Sequence, residues 1–72
     1  MKKVFSLENL ECANCAAKME AAISRLDGVE RASIHYMAAK LTVAAPDHLF
    51  QPIMEQAQRI VRKIEPACRI VV

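Results

Sequence analysis

The sequence predicts an α+β domain of element order βαββαβ, a four-stranded antiparallel sheet with two helices on one face. Three features predict it. Two segments repeat apolar residues at three- and four-residue spacing, the period of an amphipathic helix. Short runs of alternating or β-forming residues flank each of them, and Gly28, Pro46 and Pro66 fall at the junctions. The two β-α-β halves are of similar length with no low-complexity linker between them, so residues 1–72 read as a single domain.

The first strand is expected over Lys2 to Leu7, with Lys3, Phe5 and Leu7 on one face and Lys2, Val4 and Ser6 on the other. From Ala13 to Leu26 the period changes, and Cys15, Met19, Ala22, Ile23 and Leu26 form a helical stripe. Asp27-Gly28 ends that helix, because glycine accepts the left-handed conformation at little cost. Val29 to Tyr36 alternates again, with Ala32, Ile34 and Tyr36 on the inner side. A turn at Met37-Ala38-Ala39 leads to Lys40–Ala44, where Leu41 and Val43 face inward, completing a hairpin. Pro46-Asp47 breaks the strand and Gln51-Pro52 starts the second helix, since proline is tolerated in a first helical turn. Its stripe is Ile53, Met54, Ala57, Ile60, Val61 and Ile64, and Arg59, Arg62 and Lys63 suit the negative end of the helix dipole. Pro66 stops it, and Ala67 to Val72 closes the sheet. This order is the ferredoxin-like arrangement, which hosts many functions and selects none.

Composition excludes several of those functions. Hydrophobic residues make up 54% of the chain and glycine occurs once, which rules out a disordered tail or flexible linker. A net charge of +2 is too small for a dedicated nucleic-acid binder, and Phe5, Tyr36 and Phe50 are too few for a base-stacking platform. No apolar run approaches the roughly 20 residues that cross a bilayer. Ser6, Glu8, Asn9 and Glu11 interrupt any signal-peptide core after Met1-Lys2-Lys3. The expectation is a cytoplasmic, monomeric protein that neither enters the membrane nor binds nucleic acid. Cys12, Cys15 and Cys68 cannot all pair within one chain, and in a reducing compartment a C-x-x-C favours metal binding or redox chemistry over a structural disulfide.

Cys12 is expected in the loop after the first strand and Cys15 in the first turn of the helix, so the two thiols converge on one point. Unpaired N–H groups and the positive end of the helix dipole favour their thiolate forms. A thiolate both binds metal and attacks disulfides, so both chemistries are open on the motif alone.

Residues Leu7-Glu8-Asn9-Leu10-Glu11-Cys12-Ala13-Asn14-Cys15-Ala16-Ala17-Lys18-Met19-Glu20, followed by Leu26-Asp27-Gly28-Val29, resemble the heavy-metal-associated domain. That family comprises metallochaperones and the N-terminal cytosolic modules of metal-exporting P-type ATPases, and the resemblance extends over essentially the whole chain. It implies metal ligation by Cys12 and Cys15. The sequence departs from the copper branch in two places. Asn9-Leu10-Glu11 replaces Gly-Met-Thr or Gly-Met-Ser before the first cysteine, and Ile64-Glu65-Pro66-Ala67 stands where copper domains often carry Tyr or Lys. Leu10 serves as a buried loop anchor in place of Met. Zinc, cadmium and lead exporters of the family often have an acidic residue at the position of Glu11, which makes Glu11 a candidate ligand; its other role is that of a helix-start acid. The chemistry agrees, because Cu(I) is satisfied by two soft thiolates whereas Zn(II) and similar dications take more ligands and accept carboxylate oxygen. Zn(II), Cd(II) or Pb(II) is therefore the expected ion, with Cu(I) as the alternative.

Cys68 has two readings. The loop before the last strand lies near the Cys pair in this fold, which makes it a candidate further ligand. Its parity with Ile70 and Val72 instead directs it to the core, where free cysteine is common. His35 and His48 have no ligand partner nearby in sequence and read as solvated, and the methionines as packing or surface residues. The resemblance implies a non-enzymatic domain that receives an ion and hands it to a homologous domain or to the membrane core of a transport ATPase. A free copper(I) metallochaperone is the alternative. A dithiol redox protein, with Cys12 attacking and Cys15 resolving, is a further one, although no Trp or Pro adjoins the cysteines.

Overall fold

The computed structural model describes residues 1–71. Its elements are β1 (Lys2–Glu8), α1 (Ala13–Ser24), β2 (Arg31–His35), β3 (Lys40–Ala44), a 3-10 turn (Asp47–Leu49), α2 (Phe50–Ile64) and β4 (Arg69–Val71). The sheet order is β2-β3-β1-β4 with every neighbouring pair antiparallel, which is the expected ferredoxin-like topology. No helix among the described residues is long and apolar enough to cross a membrane.

Alternation decides which sheet face is covered. Leu7, Ala32, Leu41, Val43 and Ile70 share one face and join Met19 and Ile23 of α1 and Ile53, Ala57 and Val61 of α2 in one core. Burying each of the larger aliphatic side chains contributes roughly 1.5–3 kcal/mol, so this shared face holds both helices to the sheet.

Element ends depart from expectation for local reasons. α1 stops at Ser24, with Arg25 as its cap, and Gly28 lies beyond in a separate turn at φ 92°. A Cβ there would meet only the mobile end of the Leu49 side chain, Cδ1 at 2.7 Å, so it is the positive φ that calls for glycine. α1 buries Met19 and Ile23 of the anticipated stripe together with Ala16, and Cys15 and Leu26 pack half-buried against the same core. Tyr36 belongs to the exposed β2–β3 turn rather than to the inner face of β2. α2 begins at Phe50, which is buried, so Pro52 occupies the third helical position; its absent N–H would lack an intrahelical partner there too. β4 is shorter than expected because Cys68 donates its N–H to the Glu65 carbonyl at 2.9 Å, keeping residues 65–68 in a turn. Val72, expected to end that strand, lies outside the described residues.

Helix side chains close both outer sheet edges. Glu20 of α1 accepts the Ile34 N–H of β2 at 2.6 Å, and Ser24 Oγ donates to the Ala32 carbonyl at 3.3 Å. Gln58 of α2 makes two bonds to Ile70 of β4, accepting its N–H at 2.8 Å and donating to its carbonyl at 3.0 Å. These bonds satisfy strand groups that would otherwise invite another chain.

Candidate metal centre

The cysteine loop is built by a reversal at Asn9, which adopts φ 59° immediately after β1. Asparagine tolerates this left-handed conformation better than most residues. The Asn9 side-chain amide donates to the Ala67 carbonyl at 3.1 Å, tying this loop to the turn before β4. Leu10 is half-buried against the core, as a loop anchor should be.

Cys12 is the N-cap of α1. Its backbone is extended and its Sγ accepts the Cys15 N–H at 3.2 Å, the bond usually made by a Ser or Asp oxygen. Sulfur therefore satisfies one of the helix's free donors, and both motif thiols are half-buried at the same end of α1. Hydrogen bonds from the Cys15 thiol, the Cys15 N–H and the Asn14 N–H lower the Cys12 pKa, against burial and the negative charge of Glu65. Cys15 is raised, first because it donates to Cys12, then by burial and by the charges of Cys12 and Glu65. The pair is consequently asymmetric, with the first thiolate formed at Cys12.

Sequence reasoning missed Glu65 as a site residue. It lies directly after α2, and its Oε1 accepts the Glu11 backbone N–H at 3.2 Å. Its Oε2 is buried and has no hydrogen-bond partner among the described residues. The charge of this carboxylate acts on Cys12, Cys15 and Cys68 alike. The available signal was the acidic residue standing where copper domains place Tyr or Lys, but the bond between the two loops is visible only in three dimensions.

Glu11 is brought to the same loop with an exposed side chain; the contact it makes to Glu65 uses its backbone N–H. Cys68 is 1% exposed and lies within the apolar core, as its parity with Ile70 indicates. Burial, and secondarily the Glu65 charge, push its thiol pKa up. His35 and His48 are exposed and away from the thiols in sequence and element; His35 Nδ1 accepts the Ala38 N–H within the β2–β3 turn. Met19 is in the core and Met37 is 87% exposed.

Among the described residues no three His, Cys, Asp or Glu side chains are arranged as a preformed metal cluster. The arrangement is a two-thiol centre at the start of α1, with the Glu65 carboxylate joined to its loop through the Glu11 N–H.

Such a fold carrying such a pair defines a small metal-binding domain. The chain belongs to the heavy-metal-associated domain family, whose sequence signature matches residues 4–68. It is 29% identical over 66 residues to a cadmium, zinc and cobalt-transporting ATPase of Bacillus subtilis (strain 168), covering 92% of this chain and 9% of that protein. A probable cadmium-transporting ATPase of Listeria monocytogenes is 38% identical over 56 residues, which cover 78% of this chain and 8% of the relative. The chain thus spans less than a tenth of the length of these curated relatives. Among solved structures, a CopZ metallochaperone matches with a TM-score of 0.74 over 99% of this chain and 100% of that one. Its identity is 18%, so the likeness is one of fold.

Proposed function

We propose that this domain is a non-catalytic carrier of a soft or borderline divalent ion, Zn(II), Cd(II) or Pb(II). Cys12 and Cys15 supply thiolates and Glu65 supplies a carboxylate oxygen. The observation that carries this reading is the buried Glu65 Oε2, without a hydrogen-bond partner among the described residues, on a carboxylate bonded to the thiol loop through the Glu11 N–H. A buried carboxylate oxygen without a partner is costly, and a bound cation would offset that cost. The same charge gives Cu(I) little, because two thiolates already satisfy a monovalent soft ion. Glu65 thereby takes the role that the sequence suggested for Glu11, and Cys68 stays in the core.

Three protein donors leave a fourth position for an incoming thiolate, which allows the ion to leave by stepwise ligand exchange. The recipient in this reading is a homologous domain or the membrane core of a transport ATPase, with this chain as its cytosolic N-terminal module. The names of the ATPase relatives support that setting over a free copper chaperone. A dithiol redox role draws support from the unequal thiols, but Glu65 works against it by opposing ionisation of Cys12.

The test is titration of the reduced protein with Zn(II), Cd(II) and Cu(I) against competing chelators. Cys12→Ser or Cys15→Ser is expected to abolish tight Cd(II) binding, while Cys68→Ala retains it. Cd(II) binding that persists without Cys12 overturns the reading.

A further inference from the structure

Two bonds join the cysteine loop to the turn before β4. The Asn9 amide donates to the Ala67 carbonyl at 3.1 Å, and the Glu11 N–H donates to Glu65 Oε1 at 3.2 Å. Alternate residues of the loop thus grip alternate residues of the turn, and Leu10 between them packs against the core. A single bond would act as a pivot, whereas two fix the angle at which loop and turn meet.

The turn transmits what happens at Ala67 to Glu65. Glu65 is extended at φ −139° and ψ 95°, as a residue before proline must be, and Pro66 fixes its own φ. The Cys68 N–H closes the turn on the Glu65 carbonyl at 2.9 Å, and the Cys68 side chain is anchored in the core. At φ 59° Asn9 occupies a conformation that glycine adopts more cheaply, so what asparagine adds there is its side-chain donor. The two oxygens of Glu65 are divided: Oε1 holds the loop, and Oε2 is buried with no hydrogen-bond partner among the described residues.

We propose that Asn9 is a positioning residue that sets the preference of this site for a dication, by holding Ala67 so that the Glu65 carboxylate stays on the cysteine loop with Oε2 left for the ion. The proposal rests on the reading of Glu65 as a ligand. Asn9 acts on the donor that comes from the turn and not on the two that come from the helix start, where Cys12 and Cys15 keep their own bond at 3.2 Å. Cd(II), which draws on the carboxylate, therefore depends on Asn9, and Cu(I), satisfied by two thiolates, does not.

The experiment uses Asn9→Gly, which keeps the left-handed reversal and deletes the donor, alone and combined with Glu65→Gln. In the metal-free protein, amide exchange at Glu11 followed by NMR is expected to quicken about threefold or more in Asn9→Gly. By chelator competition, Asn9→Gly is expected to weaken Cd(II) about threefold or more and to leave Cu(I) unchanged. In the Glu65→Gln background the same substitution is expected to leave Cd(II) unchanged as well. An equal loss for both metals overturns the proposal, because it identifies a general loosening of the loop. So does a Cd(II) loss that persists in full without the Glu65 charge, or a Cd(II) affinity that Asn9→Gly does not alter. Failure of the underlying reading is separately visible: Glu65→Gln alone then leaves Cd(II) unchanged, whatever Asn9→Gly does to exchange at Glu11.

Discussion

The Glu11 N–H donates to the Glu65 carboxylate at 3.2 Å, joining the cysteine loop to the end of α2 across 54 positions of sequence. With Asn9 bonded to Ala67, this contact holds the thiol loop on the turn before β4, giving the expected nearness of the two loops its specific bonds. The charge delivered there opposes ionisation of every cysteine in the domain. Glu65→Gln preserves a side-chain oxygen for the Glu11 N–H while removing the charge. Thiolate absorbance near 240 nm should therefore appear at lower pH in Glu65→Gln than in the parent, with the first ionisation still at Cys12.

Alkaline stability should depend on Cys68. Its folded pKa is raised by burial above the ordinary thiol value of 9.0. Below that value the thiol is neutral in both states and its contribution is fully present. As pH rises above it, the unfolded chain loses the proton first, so stability falls until the folded pKa is passed. Urea midpoints of the metal-free protein should decline more steeply above pH 9.0 than those of Cys68→Ala, which begins less stable but lacks this slope.

Gly28→Ala should be destabilising although Gly28 is exposed. The positive φ of 92° carries the cost, since the nearby Leu49 Cδ1 ends a flexible side chain that can shift, with an expected loss of about 1–3 kcal/mol by denaturant unfolding. Ala21→Gly, at an exposed helical position of similar size, should lose about 1 kcal/mol or less.

Gln58→Ala should open the outer edge of β4. Both of its bonds to Ile70 disappear, at a cost on the order of 1–3 kcal/mol. Amide exchange at Ile70 should accelerate well before exchange in the centre of the sheet. Retained protection at Ile70 would show that Gln58 does not close the edge.

Hydrophobic period and turn residues made the topology legible, since Met19, Ile23, Ile53, Ala57 and Val61 recur with the helical repeat and Leu41 and Val43 alternate. Element ends were less legible. Phe50 extends α2 because it packs into the core, a tertiary contact with no local sign. Cys12 and Cys15 were legible because their spacing and the helix start lie in one stretch of chain. Glu65 was not, because its significance arises from a bond to a loop 54 positions away. Glu20 and Gln58 likewise look like ordinary helix polar residues until the strands they cap are in place.

The most direct test of a carboxylate-assisted dication site is the ratio of Cd(II) to Cu(I) affinity in the parent protein and in Glu65→Gln. Both metals are measured by chelator competition on fully reduced protein, with Glu11→Gln as the comparison. Glu65→Gln should weaken Cd(II) on the order of tenfold or more and leave Cu(I) unchanged or tighter, while Glu11→Gln has the smaller effect. An unchanged Cd(II) affinity in Glu65→Gln, or an equal loss for both metals, would contradict it.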